Sequence, residues 1–361
     1  MNGLLHNLGW NDYWQEQWDA LVTVECRPAR VTREDRGQYQ LVCAAGDVKG
    51  ELSGKMRNTA RSRSDLPAVG DWVAVRVSDA GEIGLVEAVL SRTSAFIRKA
   101  PGGRTEEQIV AANIDVVFLV MGLDHDYNVR RLERYLTLAW DSGASPVIVL
   151  NKADLCEDLE PCRQELDGVA FGVPVCVTSA ADGVGLGDLR AHVGPGRTAG
   201  FVGSSGVGKS TLINALLGET RQTVRAVRED DSHGRHTTTR RELLPLAGGG
   251  LLIDTPGMRE IQLWGDESGV QQTFRDIEAL AVQCRFHDCQ HGAEPGCAVR
   301  AALDTGELDA GRFQSYQKLQ RELRYLAMRQ DEGARSVERK RWRQIHKEAR
   351  RLRKWEERHG R

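Results

Sequence analysis

The chain carries two hydrophobic rhythms, and one gives way to the other near residue 105. Across residues 21–98 the apolar positions fall in short, β-branched runs broken by glycine: LVTVECRPARV, GQYQLVCAAG, DVKGELSG and GDWVAVRVSDAGEIGLVEAVL. That pattern predicts about five short strands in an all-β unit. Such a unit fits a small barrel of the OB-fold kind, and an SH3-like barrel fits the same pattern. Further on, IDVVFLVMG (114–122) is an unbroken apolar run, suited to a strand covered on both faces. NVRRLERYLTLAWDSG then sets Val129, Leu132, Leu136 and Ala139 at helical spacing, with Asn128 placed to cap and Gly143 to terminate. SPVIVLNKAD, VPVCVTSA and GLLIDTPG each read as a strand running into a loop, GLGDLRAHV as a short helix, and TAGFVGSSGVGKSTLINALLG as strand, loop and helix. Alternating strand and helix predicts a mainly parallel sheet with helices on both faces. Phe313, Tyr316, Leu319, Leu323 and Leu326 share one face of a helix over 312–332. Near the start, Trp10, Tyr13, Trp14 and Trp18 read as a helix docked on a neighbouring domain, in preference to a base-stacking platform.

One loop fixes the chemistry. In FVGSSGVGKST the residues Gly203, Ser204, Ser205, Gly206, Val207, Gly208, Lys209, Ser210 and Thr211 have phosphate-loop spacing, after an apolar strand and before a helix. The glycines let backbone N–H groups turn inward around phosphates, and the helix adds its positive end. Lys209 is expected to reach the β- and γ-phosphates and to serve catalysis, and Ser210 to bind Mg²⁺. DTPG ends another apolar strand, where Asp254 is placed to hold Mg²⁺ through water and the Gly257 N–H to meet the γ-phosphate.

NKAD (Asn151, Lys152, Ala153, Asp154) selects the base. The Asp154 carboxylate accepts from both guanine N1–H and the exocyclic amine, a donor pair adenine lacks. Asn151 suits the O6/N7 side and the Lys152 stem suits the ring face. In TSA (178–180), Ser179 and Ala180 close the next strand, where a backbone N–H near Ala180 reaches O6. A site built on these polar groups rejects adenine, which leaves them unpaired. All four motifs sit at strand C-termini, the ligand-binding edge of such sheets. GTP is therefore the expected nucleotide. Their order is unusual: the base motifs precede the phosphate loop, as in a GTPase domain cut and rejoined where its termini lie close together.

Cys284, Cys289, His291 and Cys297 offer three thiolates and an imidazole in a Gly- and Pro-containing loop, a closed structural zinc set; His287 is placed outside it. The other five cysteines, Cys26, Cys43, Cys156, Cys162 and Cys176, are scattered and read as single buried thiols. The net charge of −2 hides a strongly basic tail from Gly333, with Arg339, Lys340, Arg341, Arg343, Arg350, Arg351, Arg353 and Lys354 around Trp342 and Trp355. A near-neutral total therefore leaves an RNA partner open. Lys49, Lys55, Arg57, Arg61 and Arg63 lie in what reads as a long barrel loop, a second candidate RNA surface. No apolar run approaches the roughly 20 residues of a membrane span, and the first residues lack the pattern of a secretory signal. A cytoplasmic protein without a membrane partner is expected.

The permuted order NKAD–TSA–GSSGVGKST–GRHTTT–DTPG, the β-rich start with PAVGDWV, and CRFHDCQHGAEPGC together resemble the RsgA/YjeQ family of circularly permuted GTPases. The likeness covers roughly residues 20–330 and implies a multi-domain α/β chain. Its parts are an N-terminal extension (1–20), an all-β OB-fold RNA-binding barrel (21–104), a circularly permuted P-loop GTPase domain (105–265), a zinc-binding helical module (266–332) and a basic tail (333–361). It implies that GRHTTTRR (234–241) is the switch, with Thr238 or a neighbouring threonine on Mg²⁺. Met258 follows DTPG where many GTPases have a water-orienting glutamine, so the resemblance points to His236 as its substitute. The implied function is GTP hydrolysis coupled to late maturation of the small ribosomal subunit, with hydrolysis driving release, through contacts to its rRNA, by a monomer. The alternatives are a guanine-nucleotide-sensing RNA chaperone with little hydrolysis and a permuted GTPase acting on the large subunit.

Overall fold

The computed structural model describes residues 3–21, 25–35, 37–77, 83–99, 107–218, 241–254, 267–292 and 294–328. Five strands, β1 (Arg27–Asp35), β2 (Gln38–Cys43), β3 (Gly46–Leu52), β4 (Trp72–Val77) and β5 (Ile83–Val89), close into a barrel in the order β1-β2-β3-β5-β4-β1. Every neighbouring pair is antiparallel except β3 and β5. This is the OB-fold order, and it decides between the two barrels the strand pattern allows. Ala29, Val31, Leu41, Val73, Val75 and Val86 fill the interior.

The helices α1 (Gly3–Asn7) and α2 (Asp12–Ala20) dock outside the barrel. Trp10 and Trp14 are buried against Trp72, with ring centroids 4.8 and 6.3 Å away, as expected of a docked helix. The basic stretch after β3 differs from an open loop. Ser53 Oγ accepts from the Met56 N–H at 3.1 Å and caps α3 (Gly54–Thr59), whose Met56 is buried among the barrel residues. The cap and one apolar residue suffice to fold it, while Lys49, Lys55, Arg57, Arg61 and Arg63 stay exposed.

A hairpin of β6 (Ala95–Lys99) and β7 (Glu107–Ala112) links barrel to sheet and straddles residue 104. Beyond it come β8 (Val116–Gly122), α4 (Val129–Ser142), β9 (Ser145–Asn151), α5 (Glu160–Asp167), β10 (Val175–Val177), α6 (Leu186–His192), β11 (Thr198–Gly203), α7 (Lys209–Leu217), β12 (Arg241–Pro245) and β13 (Leu251–Asp254). The sheet order is β10-β9-β8-β11-β13-β12, parallel except for the β12–β13 pair. The apolar run of β8 is buried on both faces: Val117, Leu119 and Met121 pack with α4, and Val116, Phe118 and Val120 pack with α7. Asn128 caps α4 by accepting from the Arg131 N–H at 2.9 Å, and Gly143, at φ 85°, ends it in the left-handed conformation.

Two junctions tie the units together. β12 also pairs with barrel strand β1, so barrel and sheet are continuous, and Arg33–Glu242 (3.3 Å) and Arg241–Glu34 (3.4 Å) form crossed ion pairs over that seam. Arg30 of β1 is buried over Trp72 and donates to the carbonyls of Leu8, Gly70 and Asn113 and to Thr198 Oγ1. One guanidinium thus joins the N-terminal helices, the barrel, the linker and the root of β11. Burial pulls it down to about 10 against the opposing charges of Asp115 and Asp71, so it stays protonated at neutral pH.

The C-terminal module comprises α8 (Ser268–Thr273), α9 (Arg275–Ala281), α10 (Ala298–Thr305) and α11 (310–328). Phe313, Tyr316, Leu319 and Leu323 of α11 are buried, as the periodicity predicts. The module rests on α4. Arg312 is 3% exposed, lies 4.8 Å over the Phe274 ring, and bridges the fully buried Glu133 (3.0 Å) and Asp276 (2.6 Å). Arg134 pairs with Glu322 through two bonds of 2.6 and 2.8 Å. The basic tail lies outside the described residues.

Arg312→Met leaves the buried Glu133 with Arg130 (2.7 Å) and takes the partner from Asp276, and is expected to cost about 3 kcal/mol, whereas the double change with Glu133→Leu recovers part of that loss. Urea titrations followed by circular dichroism on the parent and both variants check this.

Candidate nucleotide site and metal centre

The parallel sheet decides where the motifs meet. In the register, Gly122 of β8 faces Asn151 of β9, and Val120 of β8 faces Gly203 of β11. The ends of β9, β8, β11 and β13 therefore carry NKAD, the turn 122–128, the phosphate loop and Asp254 along one edge. Asn151, within NKAD, ties two other loops to it. Its side chain is 1% exposed; Nδ2 donates to Val207 O at 2.9 Å, and Oδ1 accepts from Thr178 Oγ1 (3.0 Å) and the Ala180 N–H (3.2 Å). One amide joins the base motif, the phosphate loop and the TSA loop. Gly208 is obligatory beside it: at φ 98°, with a Cβ that would lie 2.2 Å from Asn151 Nδ2, no other residue fits.

Asp154 stands exposed, and its Oδ1 accepts from Ser179 Oγ at 2.7 Å. Lys152 takes a left-handed backbone, φ 64°, and Ala153 N–H donates to Thr178 O at 3.0 Å. Lys209 is buried, and Nζ donates to Gly203 O at 2.7 Å and to Ser204 O, which holds the ammonium across its own loop. Ser205 and Gly206 are exposed at the loop's tip, and Val207 is buried beneath it. Ser210 and Thr211, in the first turn of α7, are half-buried, as is Asp254 at the end of β13. The Ser210 hydroxyl and the Asp254 carboxylate are hard oxygen donors, the chemistry Mg²⁺ requires. His236, Thr238 with its neighbours Thr237 and Thr239, Gly257 and Met258 lie outside the described residues.

Two further carboxylates at this edge went unread in the sequence. Asp124 Oδ2 lies 2.6 Å from Lys152 Nζ, and Asp126 Oδ1 accepts from Ser204 Oγ at 2.6 Å while pairing with Arg131 at 2.8 Å. The available signal was position: GLDHDYN follows a buried strand at the ligand edge of a parallel sheet.

The cysteine cluster forms as its spacing predicts. The ligand atoms of Cys284, Cys289, His291 and Cys297 all lie within 4.8 Å of one another. Cys284 Sγ is 3.8 Å from Cys297 Sγ and 3.7 Å from His291 Nδ1, and Cys297 Sγ is 3.5 Å from His291 Nδ1. Tetrahedral zinc, with bonds of about 2.3 Å to sulfur and about 2.0 Å to nitrogen, sets its ligands roughly 3.5–3.8 Å apart. The donor set and spacing fit that ion. Cys297 also caps α10, its Sγ accepting from the Arg300 N–H at 3.4 Å. His287 is exposed and outside the cluster.

A family model described as RsgA GTPase matches residues 89–264. The small ribosomal subunit biogenesis GTPase RsgA of Opitutus terrae is 48% identical over 351 residues, 95% of this chain and 96% of that one. The chain belongs to the RsgA GTPase family. A second family member, small ribosomal subunit biogenesis GTPase RsgA 1 of Oceanobacillus iheyensis, is 48% identical over 318 residues, covering 88% of this chain and 91% of its own. Among solved structures, YjeQ from Thermotoga maritima superimposes with a TM-score of 0.60 at 26% identity, over 81% of this chain and 97% of that one. YloQ, described as a circularly permuted GTPase, gives 0.59 at 25% identity, over 86% and 96%. The RsgA fold accounts for the motif order: the sheet keeps its neighbours while the chain enters it at β8. Among the described residues no helix is long and apolar enough to cross a membrane.

Asn151→Ala leaves Val207 O and the Thr178 and Ala180 donors unpaired, each costing about 1–3 kcal/mol. GDP affinity is expected to fall at least about tenfold, which isothermal titration calorimetry reads. Metal analysis of the purified chain is expected to find equimolar zinc, and Cys297→Ser to lose it together with thermal stability of the C-terminal module.

Proposed function

We propose that this GTPase binds guanine nucleotide through Asn151, Lys152, Ala153, Asp154, Ser179 and Ala180, holds the phosphates on residues 203–211, and acts on the small ribosomal subunit. The observation that carries the reading is the meeting of base motif, TSA loop and phosphate loop on the Asn151 side chain. It occurs in a chain 48% identical, over 95% of its length, to a small ribosomal subunit biogenesis GTPase. The exposed basic residues around α3, and the tail, supply the phosphate-binding charge for rRNA. The chain works as a monomer in the cytoplasm, and the zinc module is structural.

Phosphoryl transfer asks the protein for position and charge more than for covalent work. The loop N–H groups and the Lys209 ammonium neutralise the β- and γ-phosphate oxygens as charge moves onto the leaving group. Ser210 and Thr238 would hold Mg²⁺ directly, with Asp254 acting through water; the ion, when bound, supplies further neutralisation of phosphate charge. Gly257 N–H meets the γ-phosphate. His236 orients the attacking water where Met258 has no polar atom to do so. Order in the switch then sets turnover, so a partner that orders it accelerates hydrolysis and is released afterwards.

GTP hydrolysis, measured alone and with isolated small or large ribosomal subunits at fixed salt and Mg²⁺, tests the reading. Strong stimulation by small subunits only is expected. His236→Ala should lower the stimulated kcat by about a hundredfold or more with GDP affinity intact. Greater stimulation by large subunits overturns the partner. Stimulation by neither, with binding preserved, supports a nucleotide-sensing RNA chaperone instead.

A further inference from the structure

We propose that the turn 122–128 positions the nucleotide site, Asp124 by fixing the Lys152 ammonium and Asp126 by fixing the phosphate loop through Ser204. The proposal rests on the reading of NKAD as the guanine motif. Its first support is location. β8 lies between β9, which carries that motif, and β11, which leads into the phosphate loop. A nucleotide with its base over the end of β9 and its phosphates over the end of β11 spans the end of β8, where this turn sits.

The second support is the set of bonds. Lys152 Nζ pairs with Asp124 Oδ2 at 2.6 Å, and both side chains are about a quarter exposed (23% and 25%). Lysine otherwise spreads over many rotamers, worth about 2 kcal/mol of entropy. Tethered at its tip, the stem becomes a fixed apolar surface for a ring to lie on. Asp124 is itself fixed, because its Oδ1 accepts from the Asp126 N–H at 3.0 Å. Burial pushes its carboxyl up, but the Lys152 bond and charge and the backbone N–H groups outweigh that and hold it below the usual range, so it is ionised at neutral pH.

Asp126 does the matching task on the phosphate side. Its Oδ1 takes the Ser204 hydroxyl at 2.6 Å and the Arg131 guanidinium at 2.8 Å. Arg131 offsets a carboxylate that would otherwise oppose bound phosphate, and anchors it to the first turn of α4. The two carboxylates are joined through the Asp126 N–H, so base and phosphate positioning share one turn. Half-exposed pairs of this kind add little to folding stability. Their value lies in presenting Lys152 and Ser204 already in place, which removes an ordering cost from binding.

The test is a pair of double-mutant cycles on the full chain, with GDP dissociation constants from calorimetry at fixed salt and Mg²⁺. Losing a charge-assisted bond, Asp124→Asn is expected to weaken GDP about tenfold. Lys152→Ala weakens it as much or more, and Asp124→Asn adds nothing in that background. Asp124→Glu restores most of the affinity. Asp126→Asn and Ser204→Ala behave as a second non-additive pair. In hydrolysis, Asp124→Asn raises KM with kcat little changed, and the urea midpoint stays at the parent value. Several results overturn the proposal: parent-like affinity in Asp124→Asn while Lys152→Ala binds weakly, additive effects within either cycle, or a lowered urea midpoint with KM and kcat moving together. Parent-like affinity in both Lys152→Ala and Asp154→Ala removes the guanine reading itself, and the proposal with it.

Discussion

Everything at the ligand edge hangs on one buried amide. Asn151 spends its donor on the phosphate loop and its acceptor on the TSA loop, while its own backbone ends β9. These groups are inside the protein, so each lost bond leaves a polar atom without water, and the three loops cannot drift apart independently. The same fact explains why chain order is free to change. The amide asks only that the ends of β9 and β11 flank the end of β8, and a parallel sheet meets that demand wherever the chain is cut.

Two rigid neighbours extend from this edge. The first turn of α4 carries Arg131, which pairs with Asp126 at the nucleotide turn, and the helix continues past Glu133 and Arg134, which pair with Arg312 and Glu322 of α11, and Thr137, which bonds Thr273 of α8. A single helix therefore touches both the nucleotide turn and the module with the cysteine cluster. On the other side, β13 ends at Asp254 and pairs with β12, which pairs in turn with β1 of the barrel. The barrel and the C-terminal module are thus attached by packed elements to the ligand edge of the sheet.

The places where local reading succeeded share a property. β8, β9, α4, α7 and α11 announce themselves through periodicity, caps and glycines, because their partners lie a few residues away or on a uniformly apolar face. Where it fell short, the partner lies far along the chain. The stretch after β3 reads as a basic loop until Met56 finds the barrel core. Asp124 and Asp126 look like ordinary turn residues until β9 and β11 bring Lys152 and Ser204 against them.

The sequence by itself determined the family signature: the phosphate-loop spacing, the NKAD motif and the cysteine–histidine set are local patterns, legible wherever the fold puts them. Tertiary structure alone decided what holds those patterns in register. Arg30, Asn151 and Arg312 each bind groups distant in sequence, and the worth of each depends on burial, which no short window of residues encodes. A charge or amide costs little in water and much inside the protein, so only the packed fold turns these three side chains from polar surface residues into the joints of the molecule.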